Sequence, residues 1–290
     1  MLPNTLEVVD TPAEVRMVID SLKSGDRVEV MARTRNWTKV RLADGHTGWV
    51  EAKDLLDDET HEAGRRLLQA LASLPVQAVG RTSGPVNLRH EPSREAAQLT
   101  QLAENRKVEV FGRRLVERPP QPNQSTSSVV REAWYLVRVD SWAGWVLGRF
   151  VSLDIPELLS MYAQGTNVVA WLVLNTVVDG GQQAPQYLVA DRIGTQEVDF
   201  NHLRVFTWWI KDHKYVTAYV ESGLNGYFPI RVTSLAGVPY FRLRLIDQDG
   251  RKFQKVYGLF DTITRPLGTV DGWESDALPV RPAPRHRRRR

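Results

Sequence analysis

The chain has no cysteine among its 290 residues, and this absence excludes several kinds of chemistry. Disulfide bonds, thiolate metal ligands and peptidases that attack through a cysteine cannot occur in this chain. It also has no apolar run near the roughly 18 residues of a membrane-spanning helix; its most apolar segment, 168–178, has the length of a strand. The first residues, MLPNTLE, carry no basic segment or apolar run, so we expect no signal peptide at this start.

Catalytic motifs are equally scarce. The six histidines form no HExxH or HxH pattern, and the sequence holds neither a GxSxG elbow nor a phosphate-binding P-loop. His46 and His213 fall in predicted turns, and the pair Asp57 and Asp58 precedes a predicted helix, where acidic residues suit the helix dipole. We therefore predict no catalytic residue, no metal site and no cofactor.

The excess of positive over negative charge comes from the last residues of the chain. The formal net charge is +4, yet six of the 38 basic residues lie in the last ten positions, and the rest of the chain is slightly acidic. Residues 276–290 are rich in proline and arginine and have almost nothing to bury, so we predict a disordered basic tail. Its final arginines could contact an anionic surface: Arg287, Arg288, Arg289 and Arg290.

A repeat organises the first half of the chain. The segment 22–30, LKSGDRVEV, recurs as LAENRKVEV at 102–110. Each copy continues into a tryptophan-containing strand and then a Gly-Trp-Val strand, whose tryptophans are Trp37, Trp49, Trp134 and Trp145. Short alternating segments joined by glycine turns indicate small β-barrels. We place one barrel at 1–56 and a second at 76–153, with a Pro/Gln/Ser-rich loop insertion at 115–131.

Each predicted barrel is followed by a helix. The first helix occupies 57–75 and carries an apolar stripe that ends at a proline; the second is shorter and occupies 154–165. Neither helix has a basic face, so we expect these stripes to dock on a neighbouring barrel and not on a membrane.

The second copy carries a family resemblance. VNLR at 86–89, a following Pro-Ser, the Val-Glu-Val strand, a tryptophan strand ending in Val-Arg and a Gly-Trp-Val strand closely resemble the bacterial Src-homology-3 (SH3) domain. The first copy departs at its start, where LEVV replaces VNLR. The resemblance implies tandem, partly open barrels of five or six strands, in exported or envelope proteins that bind peptides or wall material. We expect the ligand to contact grooves near Trp37, Trp49, Trp134 and Trp145, and we expect one tryptophan of each pair to lie in the core of its barrel.

Residues 166–275 have a different pattern. Six to eight short strands separated by turn signals, with no long helix, predict an antiparallel β-sandwich or open barrel. An aromatic segment at 205–210 and later tyrosines suggest a platform for a peptide or a sugar ring. Strand alternation predicts that one tryptophan of the pair is core and that the two tyrosines share a face. The candidate ligand contacts are Trp208, Trp209, Tyr215 and Tyr219.

These observations favour a non-enzymatic binding or scaffold protein of the bacterial cell envelope, periplasmic by resemblance, that recognises peptide or cell-wall material. One alternative is an envelope hydrolase with its site in 166–275 and the barrels as targeting modules. The other is a cytoplasmic nucleic-acid binder that acts through its arginine tail.

Overall fold

A computed structural model describes residues 5–23, 25–118, 130–162, 165–195 and 197–274. It confirms the mainly β fold: 19 strands in three antiparallel sheets with few helical residues. The centre of the predicted insertion and the predicted disordered tail, including its four terminal arginines, lie outside the described residues.

The first sheet, which we call barrel 1, has five short strands. They are β1 (Thr5–Val9), β2 (Val18–Lys23), β3 (Glu29–Arg33), β4 (Trp37–Arg41) and β5 (Thr47–Glu51), in the spatial order β2-β1-β5-β4-β3. A 3-10 turn, Ala52–Asp54, follows β5. The core consists of inward side chains from three strands: Val8, Val40, Leu42 and Val50.

The second sheet, barrel 2, repeats this order with two strands added. Its strands are β6 (Ala78–Thr82), β7 (Val86–Arg89), β8 (Gln98–Leu102), β9 (Lys107–Glu117), β10 (Arg131–Val139), β11 (Trp142–Leu147) and β12 (Val151–Leu153). The order β8-β7-β11-β10-β9 matches barrel 1 strand for strand, and β6 and β12 extend the sheet beyond β9. A 3-10 turn, Gly148–Phe150, follows β11, as in barrel 1.

Equivalent glycines explain why Gly-Trp-Val recurs. A Cβ atom on Gly48 would lie 2.3 Å from Val8 Cγ1, and a Cβ atom on Gly144 would lie 2.6 Å from the carbonyl oxygen of Arg89. In barrel 1 strand β5 therefore crosses β1, and in barrel 2 strand β11 crosses β7, too closely for any side chain at the glycine. The repeat encodes one backbone crossing used twice.

The insertion in barrel 2 is shorter than predicted. Strand β9 runs to Glu117 and β10 begins at Arg131, and these two residues pair across the hairpin. The predicted loop at 115–131 therefore includes paired strand at both ends, because Leu115 and Val116 favour the extended backbone and the hairpin continues through them. The proline-rich residues 119–122 of this insertion lie outside the described residues.

Helix α1 (Asp58–Leu71) connects the two barrels and packs on the second. The carboxylate of Asp57 caps it by accepting a hydrogen bond from the backbone N–H of Thr60 at 2.7 Å. Its apolar stripe places Leu71 against Phe111 and Ala143 on the outer face of barrel 2. The helix thus follows barrel 1 in sequence and covers barrel 2 in space.

The second predicted helix, at 154–165, is a single turn, α2 (Glu157–Ser160). Its N-cap is Pro156, which offers no side-chain hydrogen bond, and so short a helix depends on packing. Leu159 supplies that packing, against Val168, Val189 and Phe206 on the outer face of the third sheet.

The third sheet is one continuous antiparallel meander that curves into a half-barrel. Its strands, in sequence and spatial order, are β13 (Asn167–Asp179), β14 (Gln182–Arg192), β15 (Phe200–Trp209), β16 (Lys214–Leu235), β17 (Val238–Ile246), β18 (Lys252–Phe260) and β19 (Ile263–Asp271). Of the two predicted architectures, the open barrel fits and the two-sheet sandwich does not. The concave core draws large side chains from both halves of the meander, including Leu172, Leu188, Phe241 and Tyr257.

The third sheet has seven strands in the described residues, within the six to eight predicted, but its strand β16 spans two of the predicted segments. The sequence suggested two strands, 214–221 and 227–232, with a glycine turn between them; the structure joins them. Gly223 has φ +75°, and a Cβ atom on Gly226 would lie 2.2 Å from the ring of Phe200. The two glycines thus permit a bend and a close approach inside one strand.

Barrel 2 docks on the half-barrel through a fully buried glutamine. Gln77 Oε1 accepts the backbone N–H of Ile230 at 2.8 Å, and Gln77 Nε2 donates to the carbonyl oxygens of Ile230 at 3.1 Å and Pro75 at 2.9 Å. Its main chain bonds Val110 in β9 and Trp171 in β13. One residue therefore connects the segment that follows α1, barrel 2 and two strands of the half-barrel.

Replacing Gln77 by alanine tests this junction. The substitution leaves the buried N–H and C=O of Ile230 without partners, so we expect the free energy of unfolding to fall by about 3 kcal/mol. Urea unfolding measures the loss. The matched control is Gln101→Ala, which removes an exposed glutamine of barrel 2 and should change the free energy by less than about 0.5 kcal/mol. Equal effects of the two substitutions would contradict the assigned role.

Candidate ligand-binding surfaces

The outer face of barrel 1 presents the first pair of predicted tryptophans. Along β4, Thr38 and Val40 are buried, so the alternating residue Trp37 points outward. On the neighbouring strand Trp49 also points outward, between the buried Gly48 and Val50. Both tryptophans are half-buried. Of the four tryptophans predicted in the barrels, these two are the ones that stay accessible to solvent.

The loop between β1 and β2 lies over this face. The guanidinium carbon of Arg16 is 4.8 Å from the centre of the Trp37 ring. The loop is closed by Asp10, whose backbone N–H and carboxylate both bond the main chain of Met17. The side chain of Met17 itself is 69% exposed. Barrel 1 therefore combines an aromatic ring, a cation and an exposed apolar side chain at one edge.

The equivalent tryptophans of barrel 2 are buried, which contradicts their predicted role as ligand contacts. Trp134 is 2% exposed and Trp145 is 8% exposed. Helix α1 covers the outer face to which Trp145 belongs, and the Arg114 guanidinium carbon lies 5.1 Å from the centre of the Trp145 ring. The expectation of one core and one open tryptophan per barrel is wrong in both barrels, because one outer face is covered by the helix and the other is not.

The β7–β8 loop of barrel 2 is fixed by a partly buried carboxylate, that of Glu132. Arg94 donates two hydrogen bonds to Glu132, at 2.8 and 2.7 Å, and Arg149 donates a third at 3.2 Å. The hydrogen bond from Arg94 lowers the pKa of Glu132 more than its partial burial raises it. The β7–β8 loop is equivalent to the β1–β2 loop that lies over Trp37 in barrel 1. In barrel 2 this loop is held by an ion pair.

The tryptophan pair of the half-barrel divides as the alternation predicted. Trp208 is 8% exposed and donates its indole N–H to the carboxylate of Asp179 at 2.8 Å. Its ring packs edge-on against the ring of Tyr215, with 4.9 Å between the ring centres. Trp209 is 40% exposed. The indole donor and the side chain of His213, which bonds the same carboxylate at 2.6 Å, lower the pKa of Asp179. Trp208 is therefore structural and Trp209 is free to contact a ligand.

The two predicted tyrosines lie on opposite faces, which corrects the expectation that they share one. Phe206 pairs with Thr217, and the preceding residue Val205 pairs with Tyr219. The skipped residue, 218, is therefore a β-bulge that inverts the alternation along β16. Tyr215 packs on the outer cluster beneath α2, whereas Tyr219 packs on the concave core. The tyrosines do not form a common platform.

Tyr219 belongs to a buried polar network. Glu221 accepts hydrogen bonds from Tyr219 at 2.8 Å, from Tyr257 at 2.7 Å and from Lys255 at 2.5 Å. Burial and the carboxylate raise the pKa of Tyr219 to about 12, while the three donors lower the pKa of Glu221 more than burial raises it. Every member has a partner, so the network serves the core of the half-barrel.

A second carboxylate is satisfied in the same way. Asp191 is fully buried and accepts two hydrogen bonds from Arg204, at 2.8 and 2.7 Å, and lies 3.2 Å from His202 Nδ1.

Within the described ranges, the structure shows no cluster of three or more histidine or acidic side chains placed to hold a metal ion. No helix in these ranges is long and apolar enough to cross a membrane.

Two cavities accompany these surfaces. A cleft of about 730 Å³ separates barrel 1 from α1 and is lined by mixed charges, among them Arg27, Asp58 and Arg65. A cavity of about 640 Å³ opens at one end of the half-barrel, beside Trp209, with Gln186 at its base. Sequence reasoning missed Gln186, although a glutamine in the inward phase of an apolar strand, two residues before Leu188, is the signal that could have revealed it.

Comparison with known proteins identifies one domain. Residues 12–56 match the family model of the bacterial SH3 domain, and this range covers most of barrel 1. The N-terminal barrel is thus an SH3-like domain, while a tandem pair of such domains stays a prediction. No match was found among curated proteins. A solved structure, NlpC2 from Trichomonas vaginalis, aligns over 76% of this chain and 93% of its own at 8% identity, but its TM-score of 0.20 is too low to carry an argument.

The buried and open tryptophans make a testable contrast. Trp134→Ala should lower the free energy of unfolding by about 3–5 kcal/mol, since it empties a packed site. Trp209→Ala, at a position 40% exposed, should lower it by about 1 kcal/mol or less. Far-ultraviolet circular dichroism during urea unfolding avoids the loss of fluorescence signal. A tolerated Trp134→Ala would refute its assignment to the core.

The Glu132 ion pair predicts an acid dependence. Its pKa is lower in the folded chain than the ordinary value of 4.5, so its contribution is complete above that value and is lost as pH falls through the folded pKa. Glu132→Gln should lower the melting temperature at pH 7 and flatten its decline between pH 5 and pH 3. Glu104→Gln, at an exposed carboxylate of the same barrel, is the control and should leave the slope unchanged. A slope unaffected by Glu132→Gln would exclude the ion pair as its source.

Proposed function

We propose that this chain is a non-enzymatic binding or scaffold protein of the bacterial cell envelope that recognises peptide or cell-wall material. The observation that carries the proposal is the match of residues 12–56 to the bacterial SH3 domain, a family suited to peptide or wall binding. The open outer face of this barrel, with Trp37 between its loops, supplies a surface for such a ligand.

We propose different roles for the two barrels. Barrel 2 has the same strand order as barrel 1, and we propose that it is a second SH3-like domain in tandem. Its outer face is covered by α1 and its β7–β8 loop is held by Glu132, so its role is to support the array. Barrel 1 keeps its aromatic face accessible and therefore acts as the recognition module.

An extended segment is the ligand that suits this face. Trp37 and Arg16 offer an aromatic ring and a cation side by side, and Met17 adds an adaptable apolar contact. An extended peptide, whether free or part of the cell wall, can place alternate side chains against the aromatic ring, the cation and the apolar side chain. The envelope is the compartment where wall material is met, and an in-frame signal peptide encoded upstream of Met1 would support that location.

Retention of the purified chain on wall sacculi and on immobilised envelope proteins tests the proposal. We expect the folded chain to be retained by at least one of them, and Trp37→Ala to weaken retention by about tenfold, as removal of an aromatic anchor does. Leu235→Ala, which alters an apolar side chain 57% exposed on the half-barrel, is the control and should not weaken it. Failure of the folded chain to bind either material would overturn the proposal.

A further inference from the structure

The open end of the half-barrel has the form of a ligand site. Three chain segments surround its cavity of about 640 Å³: residues 208–211 at the end of β15 and just after it, residues 237–239 at the start of β17, and residues 259–262 at the end of β18 and in the turn that follows. The volume lies within the range of roughly 300–1,000 Å³ that is typical of small-molecule sites, and such sites are common in the mouths of barrels. We call this cavity the mouth.

Two amide oxygens form the polar base of the mouth. Gln186 is 1% exposed, and neither its Oε1 nor the Oδ1 of Asn175 accepts a hydrogen bond from the described residues. The two residues face each other across β13 and β14, and both line the cavity. A buried acceptor without a partner is destabilising, so both oxygens favour a ligand that brings hydrogen-bond donors.

The rim of the mouth is aromatic and electrically balanced. Trp209 is 40% exposed and Phe260 is 36% exposed, and both line the cavity beside Pro239. The charged rim residues are one cation, Lys211, and one anion, Asp261. The rim therefore offers flat apolar surfaces without a net charge that would select an ionic ligand.

We propose that the mouth binds a neutral oligosaccharide. Sugar hydroxyls donate to the oxygens of Gln186 and Asn175, and the apolar faces of the sugar rings lie against Trp209 and Phe260. Hydroxyl groups both donate and accept, which suits side-chain amides, and aromatic walls with a few placed polar groups define the pose. This site lies on a different domain from the recognition face of barrel 1 and does not depend on the function proposed for that face.

Calorimetric titration of the full chain with tri-N-acetylchitotriose and with cellotriose tests the proposal. We expect at least one trisaccharide to bind and to change the tryptophan fluorescence. Gln186→Leu should weaken that binding by about tenfold or more, since it removes the acceptor. The same variant should raise the melting temperature of the free chain, because leucine fills similar space without an unpartnered oxygen.

Two further variants locate the binding. Trp209→Ala should weaken binding by about tenfold and remove the fluorescence change, whereas Leu235→Ala, an exposed position outside the mouth, should leave both unchanged. Failure of both trisaccharides to bind at millimolar concentration would overturn the proposal, as would binding that survives Gln186→Leu and Trp209→Ala. A neutral tetra-alanine peptide that binds at the mouth in place of the sugars would also overturn it. So would a fall in melting temperature with Gln186→Leu, since that result would show the oxygen to be satisfied already.

Discussion

Gln77 provides the contact on which the arrangement of the domains depends. A glutamine side chain buried between two β-sheets is costly unless its amide is satisfied, and here its side chain and main chain together make five hydrogen bonds. The partners come from the segment after α1, from β9, from β13 and from β16. Because hydrogen bonds require a defined geometry, Gln77 fixes the angle between barrel 2 and the half-barrel as well as their contact. The buried ion pair between Arg113 and Asp199, 3.4 Å apart, lies at the same junction.

That junction gives different surroundings to two barrels of the same strand order. Barrel 2 is bound to the half-barrel by Gln77 and covered by α1, which approaches closely because a Cβ atom on Gly64 would lie 2.8 Å from Leu99. Barrel 1 shares the strand order but lacks this cover, and a cleft separates it from the helix. Two barrels of the same strand order are therefore covered to different extents. Fold alone does not decide which copy binds, since the neighbours of each copy determine what stays exposed.

The sequence predicted the elements that local pattern controls. Alternation and repeated glycine motifs were enough to predict barrel 1, barrel 2 and a third β domain, because Gly48 and Gly144 meet the same backbone crossing. It could not predict that α1 covers the barrel that follows it, since an apolar stripe does not specify its partner. It also misplaced Tyr219, because one bulge in β16 inverts a period-two pattern and leaves no mark in composition.

The glycines of β16 show how a local ambiguity sets the shape of a whole domain. Residues 223–226 have the composition of a turn, and a turn there would have separated two sheets that could close over a shared core. As a bend inside one strand, the same residues keep the meander continuous, and the half-barrel stays open at the end where β15, β17 and β18 meet solvent. Apolar side chains fill the concave core as far as Leu188, and Gln186 follows at the next inward position. The polar side chain at the base of this open end lies where the apolar core ends.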